Sequence, residues 1–342
     1  MVLGAGNIGM FVGGLLADAG ADVTFVGRQW LIDEITAEGL HLTDLDGGSH
    51  RIAPQRFQVA TEPEDVGRAD LVLVTVKSGA TADAARALAG KIRPGTVVLS
   101  LQNGVGNDTV LRDILSSCVV LPGMVMFNVI HRGPGHFHRG TEGGLAVQDD
   151  PALGDYLDLF ESAGLPLQRH DDLRPVQWAK LLLNLNNPVN ALSGLTLREE
   201  LLERDYRRCA ALAQKEALEV MHRARIHPAR LTALPSELMA SVLTVPTWLF
   251  RLLATRVLNI DPLARSSMAD DLAAGRRTEI TWLCGEVVDL GAMSGVPTPV
   301  NQRLIQLINE AEQGDRRVWT GAELLADLRL ARSSASGGRQ LR

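Results

Sequence analysis

Apolar residues follow two different rhythms along the chain. In the first half, short apolar runs at Met1 to Leu3, Asp22 to Val26, Leu71 to Val76, Thr96 to Leu101 and Val119 to Phe127 alternate with segments of helical spacing, such as Ile8 to Ala19 and Ala80 to Ile92. That alternation predicts a parallel sheet wound with helices. The interval from His41 to Ala60, with Asp46-Gly47-Gly48 between alternating segments, predicts a β-hairpin added at the edge of the sheet, and Arg132-Gly133-Pro134-Gly135 predicts another turn. From about Arg174 apolar residues recur every three or four positions, through Trp178 to Leu192, Arg198 to Arg225 and Ser266 to Met293. This half is expected to be nearly all helix, interrupted at Pro228, Pro235, Pro246 and Pro262. Residues 332–342 are rich in Ser and Gly and are expected to be disordered. The expected division is 1–170, 171–331 and that tail.

Composition narrows the class. The chain has 342 residues, enough for two domains with a core each, and its 46% apolar and 22% charged content is that of an ordinary globular protein. A formal net charge of -6 with no basic run argues against a nucleic-acid surface. The N-terminus lacks a basic stretch and a small-residue cleavage site, and no apolar run of about 18 residues is free of charges and breakers, so a cytoplasmic protein without a membrane span is expected. Cys118, Cys209 and Cys284 are far apart and odd in number, which excludes a zinc framework and suggests reduced thiols.

Gly4-Ala5-Gly6-Asn7-Ile8-Gly9 is a GxGxxG between a strand and a helix. In that place the first glycine makes a tight turn, the second lets backbone approach a pyrophosphate, and the third lets helix and strand pack closely. A structural turn could use the same glycines, but the flanking strands favour an α/β Rossmann-type dinucleotide-binding domain. At the end of the second strand, where an acid would take the ribose hydroxyls of NAD, stands Arg28, nineteen residues after Gly9. A cation there suits the 2′-phosphate of NADPH, although a surface arginine fits the same sequence. Lys77 and Asn103 close two further strands, at the end of the sheet where ligands bind. Lys77 could reach the adenosine-side phosphate or simply cap a turn, and Asn103 could bind nicotinamide ribose or substrate or merely shape its turn with Gly104.

Of 34 basic residues only Lys77, Lys91, Lys180 and Lys215 are lysine, the cation that can give up a proton. Lys180, Asn184 and Asn187 are spaced to share one face of an apolar helix containing Leu181, Leu182, Leu183 and Leu185. Buried amides and an amine require a wet pocket or a network, so this stripe marks a site or a cap. Ser267 and Glu279 lie twelve residues apart on one or two helices, where a solvated face is the plain reading.

GAGNIG, VTVK ending in Lys77, LQNG with Asn103, WAKLLLN with Lys180 and Asn184, and SSM followed by RRTE with Ser267 and Glu279 together resemble the ketopantoate reductases, in order and spacing over nearly the whole chain. The resemblance implies a Rossmann domain followed by an all-α C-terminal domain with the active site in the cleft between them, and NADPH-dependent reduction of 2-dehydropantoate (ketopantoate) to pantoate in pantothenate biosynthesis. It also implies that Lys180 donates the proton, that Asn103 touches cofactor and substrate, that Asn184 and Ser267 hold the substrate, and that Glu279 meets the substrate hydroxyl and the cofactor. Two features depart from the family. Its second helix asparagine, eight residues after the lysine, is replaced by Pro188, with Asn187 one residue early and Asn190 two late, and an insertion spans about Val242 to Ile260 with Trp248 and Phe250. Reduction of another 2-oxo acid, oxidation of a 2-hydroxy acid, and NADPH sensing without turnover stay open as alternatives. The expected partner is a small 2-oxo acid, with no nucleic acid and no membrane, and a homodimer is left open.

Overall fold

The computed structural model describes residues 1–232, 234–254 and 263–337. The chain divides into two compact units, Met1–Leu173 and Arg174–Arg342.

In the first unit the strands are β1 (Val2–Leu3), β2 (Thr24–Val26), β3 (Leu40–Thr43), β4 (Ser49–Ile52), β5 (Gln58–Ala60), β6 (Leu71–Val74), β7 (Val97–Ser100), β8 (Val119–Val125), β9 (Val129–Gly133), β10 (His136–Arg139), β11 (Leu145–Gln148) and β12 (Leu167–His170). The helices are α1 (Asn7–Asp18), α2 (Gln29–Glu38), α3 (Thr81–Leu88), α4 (Asn107–Ile114) and α5 (Gly154–Ser162). Eight strands form the main sheet in the order β12-β11-β8-β7-β6-β1-β2-β5. Pairing is parallel from β5 through β8 and antiparallel between β8 and β11. The chain winds one way from β1 to β2 and the other way from β6 outward, so β1 and β6 flank the point where strand order reverses, and an open α/β sheet places its ligand crevice there. β1 is only two residues long yet pairs on both sides, Leu3 opposite Val26 and Val74.

The hairpin expected at the edge of this sheet lies elsewhere. β3 and β4 join β10 and β9 in a separate four-stranded sheet, while β5, from the same interval, is the true edge strand. The cause is α1, which is buried from Gly9 through Ala17 and packs on β1 and β2 on one side and on β3, β4, β9 and β10 on the other. A helix apolar all round needs two covering layers, and the alternating strand β3 supplies Leu40 and Leu42 to the second.

The second unit contains α6 (Arg174–Asn184), α7 (Asn187–Ser193), α8 (Leu197–Leu202), α9 (Arg204–Arg223), α10 (Ser236–Val242), α11 (Thr247–Leu253), α12 (Ser267–Ala273), α13 (Cys284–Ser294), α14 (Pro299–Glu312) and α15 (Gly321–Gly337). The long α9 runs through the middle of this unit and packs against α10, α13, α14 and α15. The tail expected to be disordered is helical as far as Gly337, because α15 packs on α9 and α14 and is held by the Thr320–Glu323 capping hydrogen bonds. Residues 338–342 lie outside the described residues.

Within the expected insertion, α11 and the segment before it are held by a buried cation. Arg207 of α9 donates to the carbonyls of Leu201 (2.8 Å), Leu243 (3.2 Å) and Val245 (3.0 Å), and its guanidinium lies 4.3 Å from the Phe250 ring centre. Phe250 is buried whereas Trp248 is exposed. Residues 255–260 of the insertion lie outside the described residues. Cys118, Cys209 and Cys284 are free thiols, and no helix among the described residues is long and apolar enough to cross a membrane.

Candidate active site

The glycine turn sits at the reversal point with the geometry a dinucleotide phosphate requires. Gly4 has φ +101°, which a side chain would strain, and a Cβ there would lie 2.5 Å from the Val76 amide nitrogen. At Gly9 a Cβ would lie 2.5 Å from the Gly4 carbonyl oxygen and 2.6 Å from Thr75 Oγ1, so helix and strand touch at that position. A Cβ at Gly6 would find its nearest neighbour, the Gly4 carbonyl oxygen, 4.0 Å away, so there is room beside the first turn of α1. That turn holds no acidic residue and no side-chain cap, so its N–H groups and helix dipole remain available to a phosphate. These features fit a dinucleotide's pyrophosphate. Ala5, Asn7 and Ile8 complete the turn, and Asn7 is anchored by its side-chain amide, which donates to the Val129 carbonyl (3.0 Å).

Arg28 is exposed and is the residue just before α2, directly after β2. Lys77 is exposed just after β6. Asn103 follows β7, and its carbonyl accepts from the Ser78 hydroxyl (2.9 Å) and the Asn107 side-chain amide (2.7 Å). Arg28, Lys77, Asn103 and the glycine turn thus all stand at the carboxyl ends of parallel strands.

In the second unit, Lys180 and Asn184 lie one turn apart on α6 and both are half-buried. Burial, with no opposing cause, pushes the Lys180 ammonium's pKa down from the ordinary lysine value. Asn187 does not continue this face, contrary to the stripe expected from spacing. The helix ends at Asn184 and restarts at Asn187, because Pro188 has no N–H to give the Asn184 carbonyl and its ring clashes with that turn. Asn190 is wholly buried and engaged: its amide donates to the Leu195 carbonyl (3.1 Å) and Glu200 (3.4 Å), and its oxygen accepts from the Ser266 amide (2.9 Å). Both of its amide hydrogens are taken, and its complete burial leaves it no face open to a substrate. Ser267, exposed, is the first residue of α12, capped by the Ser266 hydroxyl. Glu279 is on a different element, half-buried at the start of a short 3₁₀ turn, after α12 has ended at Ala273.

Two polar networks escaped the sequence reading. In the first unit Ser78, Thr81, Gln102 and Asn107 are buried together: the Thr81 hydroxyl lies 2.8 Å from Asn107 Oδ1 and accepts from Gln102 Nε2 at 2.7 Å. This ties the loop carrying Lys77 to the loop carrying Asn103. In the second unit Asn186, Asn190, Glu200 and Ser266 form another. The only signal in the sequence was a surplus of amides around Pro188. Among the described residues no cluster of His, Cys, Asp and Glu could hold a metal ion.

The profile of the family described as Ketopantoate reductase PanE/ApbA matches residues 1–151, and that described as Ketopantoate reductase PanE/ApbA C terminal matches residues 172–312. The 2-dehydropantoate 2-reductase of Halobacterium salinarum is 31% identical over 319 residues, which cover 92% of this chain and 98% of the relative. A crystal structure of a PanE/ApbA family ketopantoate reductase from Ralstonia eutropha JMP134 has a TM-score of 0.78 at 29% identity, covering 92% of this chain and 99% of that one. A D-mandelate dehydrogenase solved with NADH and anilino(oxo)acetate has a TM-score of 0.74 at 20% identity, covering 91% and 97%, a likeness that shows the fold alone. With both halves matched by the two parts of one family description, this chain belongs to the ketopantoate reductase PanE/ApbA family of oxidoreductases.

Proposed function

We propose that the protein reduces 2-dehydropantoate to pantoate with NADPH. The observation that carries this reading is Lys180, a rare lysine on an apolar helix, half-buried, its ammonium pKa lowered by burial, with Asn184 one turn away. The glycine turn would hold the pyrophosphate, Arg28 the 2′-phosphate, Lys77 a neighbouring phosphate and Asn103 the ribose or substrate. A reduced nicotinamide held there would be the source of hydride for the 2-oxo carbon. Lys180 gives its proton to the oxygen of that carbonyl, and its charge stabilises the oxygen as it becomes negative. An ammonium with a lowered pKa transfers its proton more readily near neutral pH. Asn184 and Ser267 are the polar groups that would grip the acid, and Glu279 would accept from its hydroxyl.

A second reading, reduction of a different 2-oxo acid, is favoured by two observations: Pro188 stands where the family's second asparagine is expected, and Asn190 is wholly buried with both amide hydrogens engaged within the protein.

NADPH oxidation followed with ketopantoate, 2-oxoisovalerate and pyruvate, with NADH as the control, tests both. Turnover with ketopantoate and NADPH, and a preference over NADH that drops on the order of tenfold to several hundredfold in Arg28→Ala, is expected. Turnover confined to another 2-oxo acid moves the substrate, and tight NADPH binding without turnover on any of them sinks the enzyme reading.

A further inference from the structure

Glu200 is fully buried on α8 and belongs to neither the cofactor nor the substrate residues named above. Its Oε2 accepts from the side-chain amides of Asn186 (2.9 Å) and Asn190 (3.4 Å). Asn186 is the residue at the break between α6 and α7. Asn190, on α7, accepts from the Ser266 backbone N–H at 2.9 Å, and the Ser266 hydroxyl donates to the Asn187 carbonyl at 3.2 Å. One carboxyl therefore joins three pieces of chain: the end of α6 just past Asn184, the start of α7, and the first turn of α12 that begins at Ser267. Each of these contacts lies within the second unit.

The network also contains a chemical imbalance. Glu200 Oε1 and Asn186 Oδ1 are both buried and neither has a donor. Two buried acceptors without donors are costly, and a proton on the carboxyl would remove the charge and supply one donor. Burial pushes the Glu200 pKa up to about 7, against the opposing pull of Asn186, Asn190 and the Arg207 guanidinium. The titratable neighbours that sense its charge are on α9, namely Tyr206, pushed up to about 12, and Cys209, also pushed up, so neither ionises near neutrality.

We propose that Glu200 is a positioning residue for the reduction: through Asn186 and Asn190 it locks the α6–α7 break to the start of α12, and so fixes where Asn184 and Ser267 meet the 2-oxo acid. The proposal rests on the reading of the reaction given above. Its working form is the neutral acid, which accepts from two amides and donates once. Glutamine reproduces that pattern, accepting through its carbonyl and donating through its amide, whereas methionine keeps the volume and loses every hydrogen bond.

The test compares wild type, Glu200→Gln and Glu200→Met for KM and kcat with the best 2-oxo acid from pH 6 to 9, with NADPH Kd measured by titration. In wild type, KM should rise as pH passes through about 7 and the acid ionises. In Glu200→Gln, KM should stay at the low-pH wild-type value and lose that pH dependence. In Glu200→Met, KM should rise about tenfold or more at all pH values, with NADPH Kd within about twofold of wild type. A Met variant with unchanged KM overturns the proposal, as does one in which KM, kcat and NADPH Kd worsen together, the mark of a merely structural residue. If Glu200→Met does not fold, the Gln variant decides alone, since a KM profile identical to wild type overturns it. Absence of turnover by wild type on any 2-oxo acid is a failure of the reaction reading; a wild type that turns over while the variants match it is a failure of the Glu200 assignment alone.

Discussion

Lys180 concentrates the chemistry of the proposed reaction in one side chain, and its behaviour follows from where it sits. Burial disfavours the charged amine, and nothing offsets that cost. A proton donor must be charged to act, so kcat for reduction should fall as pH rises through the lowered pKa, earlier than an ordinary lysine would require. Lys180→Ala removes the donor and should lower kcat by roughly 10² to 10⁴ while leaving NADPH binding intact. A variant within a few-fold of wild-type kcat would rule out the donor role. The sequence made Lys180 visible because lysine is scarce in this chain and its neighbours are leucines. It left Glu200 invisible, since Leu197 to Leu202 read as an ordinary amphipathic turn with three charged residues, Arg198, Glu199 and Glu200, and nothing local marks the last one as buried. Burial of a single acid is decided by what packs over it from α7 and α9, and that is information from distant segments.

At the scale of elements, the strand–turn–helix at the N-terminus was legible and the helix break at Asn186 was not. Glycine spacing carries a local mechanism, so Gly4, Gly6 and Gly9 could be assigned separate jobs before any coordinates, and the space around each agrees with its job. The assignment makes Gly6 and Gly9 differ under the same substitution. Gly9→Ala forces a methyl against the Gly4 carbonyl and Thr75, a backbone clash that should cost about 1–3 kcal/mol of stability. Gly6→Ala has room and a negative φ, so the melting temperature should hold while the methyl obstructs the phosphate, raising NADPH Kd by about tenfold or more. Thermal melts beside NADPH titrations separate the two, and equal losses of stability would refute the distinction. By contrast, the Lys180–Asn184–Asn187 stripe assumed a continuous helix. Pro188 was in plain view, but proline is accepted in the first turn of a helix as well as breaking one, and spacing alone favoured continuity over a restart.

Across the whole molecule, the order of elements was readable and the placement of the β3–β4 hairpin was not. Alternation of strands and helices determines a wound sheet, but which layer a hairpin joins depends on the second apolar face of α1, and a helix buried on both sides carries no periodic signal to say so. Global stability likewise depends on groups that sequence position does not identify. The Glu200 carboxyl has a folded pKa of about 7 against an ordinary value of 4.5. A raised carboxyl pKa means that the folded state holds its proton more tightly than the unfolded chain does. Its contribution is therefore full below about pH 4.5 and lost as pH rises through about 7, amounting to about 3 kcal/mol. Glu286, also raised to about 7, adds a loss of the same sign, so the wild-type curve alone cannot isolate Glu200. The difference between Glu200→Gln and wild type can, because Glu286 is common to both. That difference should favour the variant increasingly from about pH 4.5 to 8, by about 6–12 °C in the melting temperature of a unit of this size. A difference independent of pH would mean that Glu200 ionises normally in the folded protein, and the neutral-acid network would fall with it.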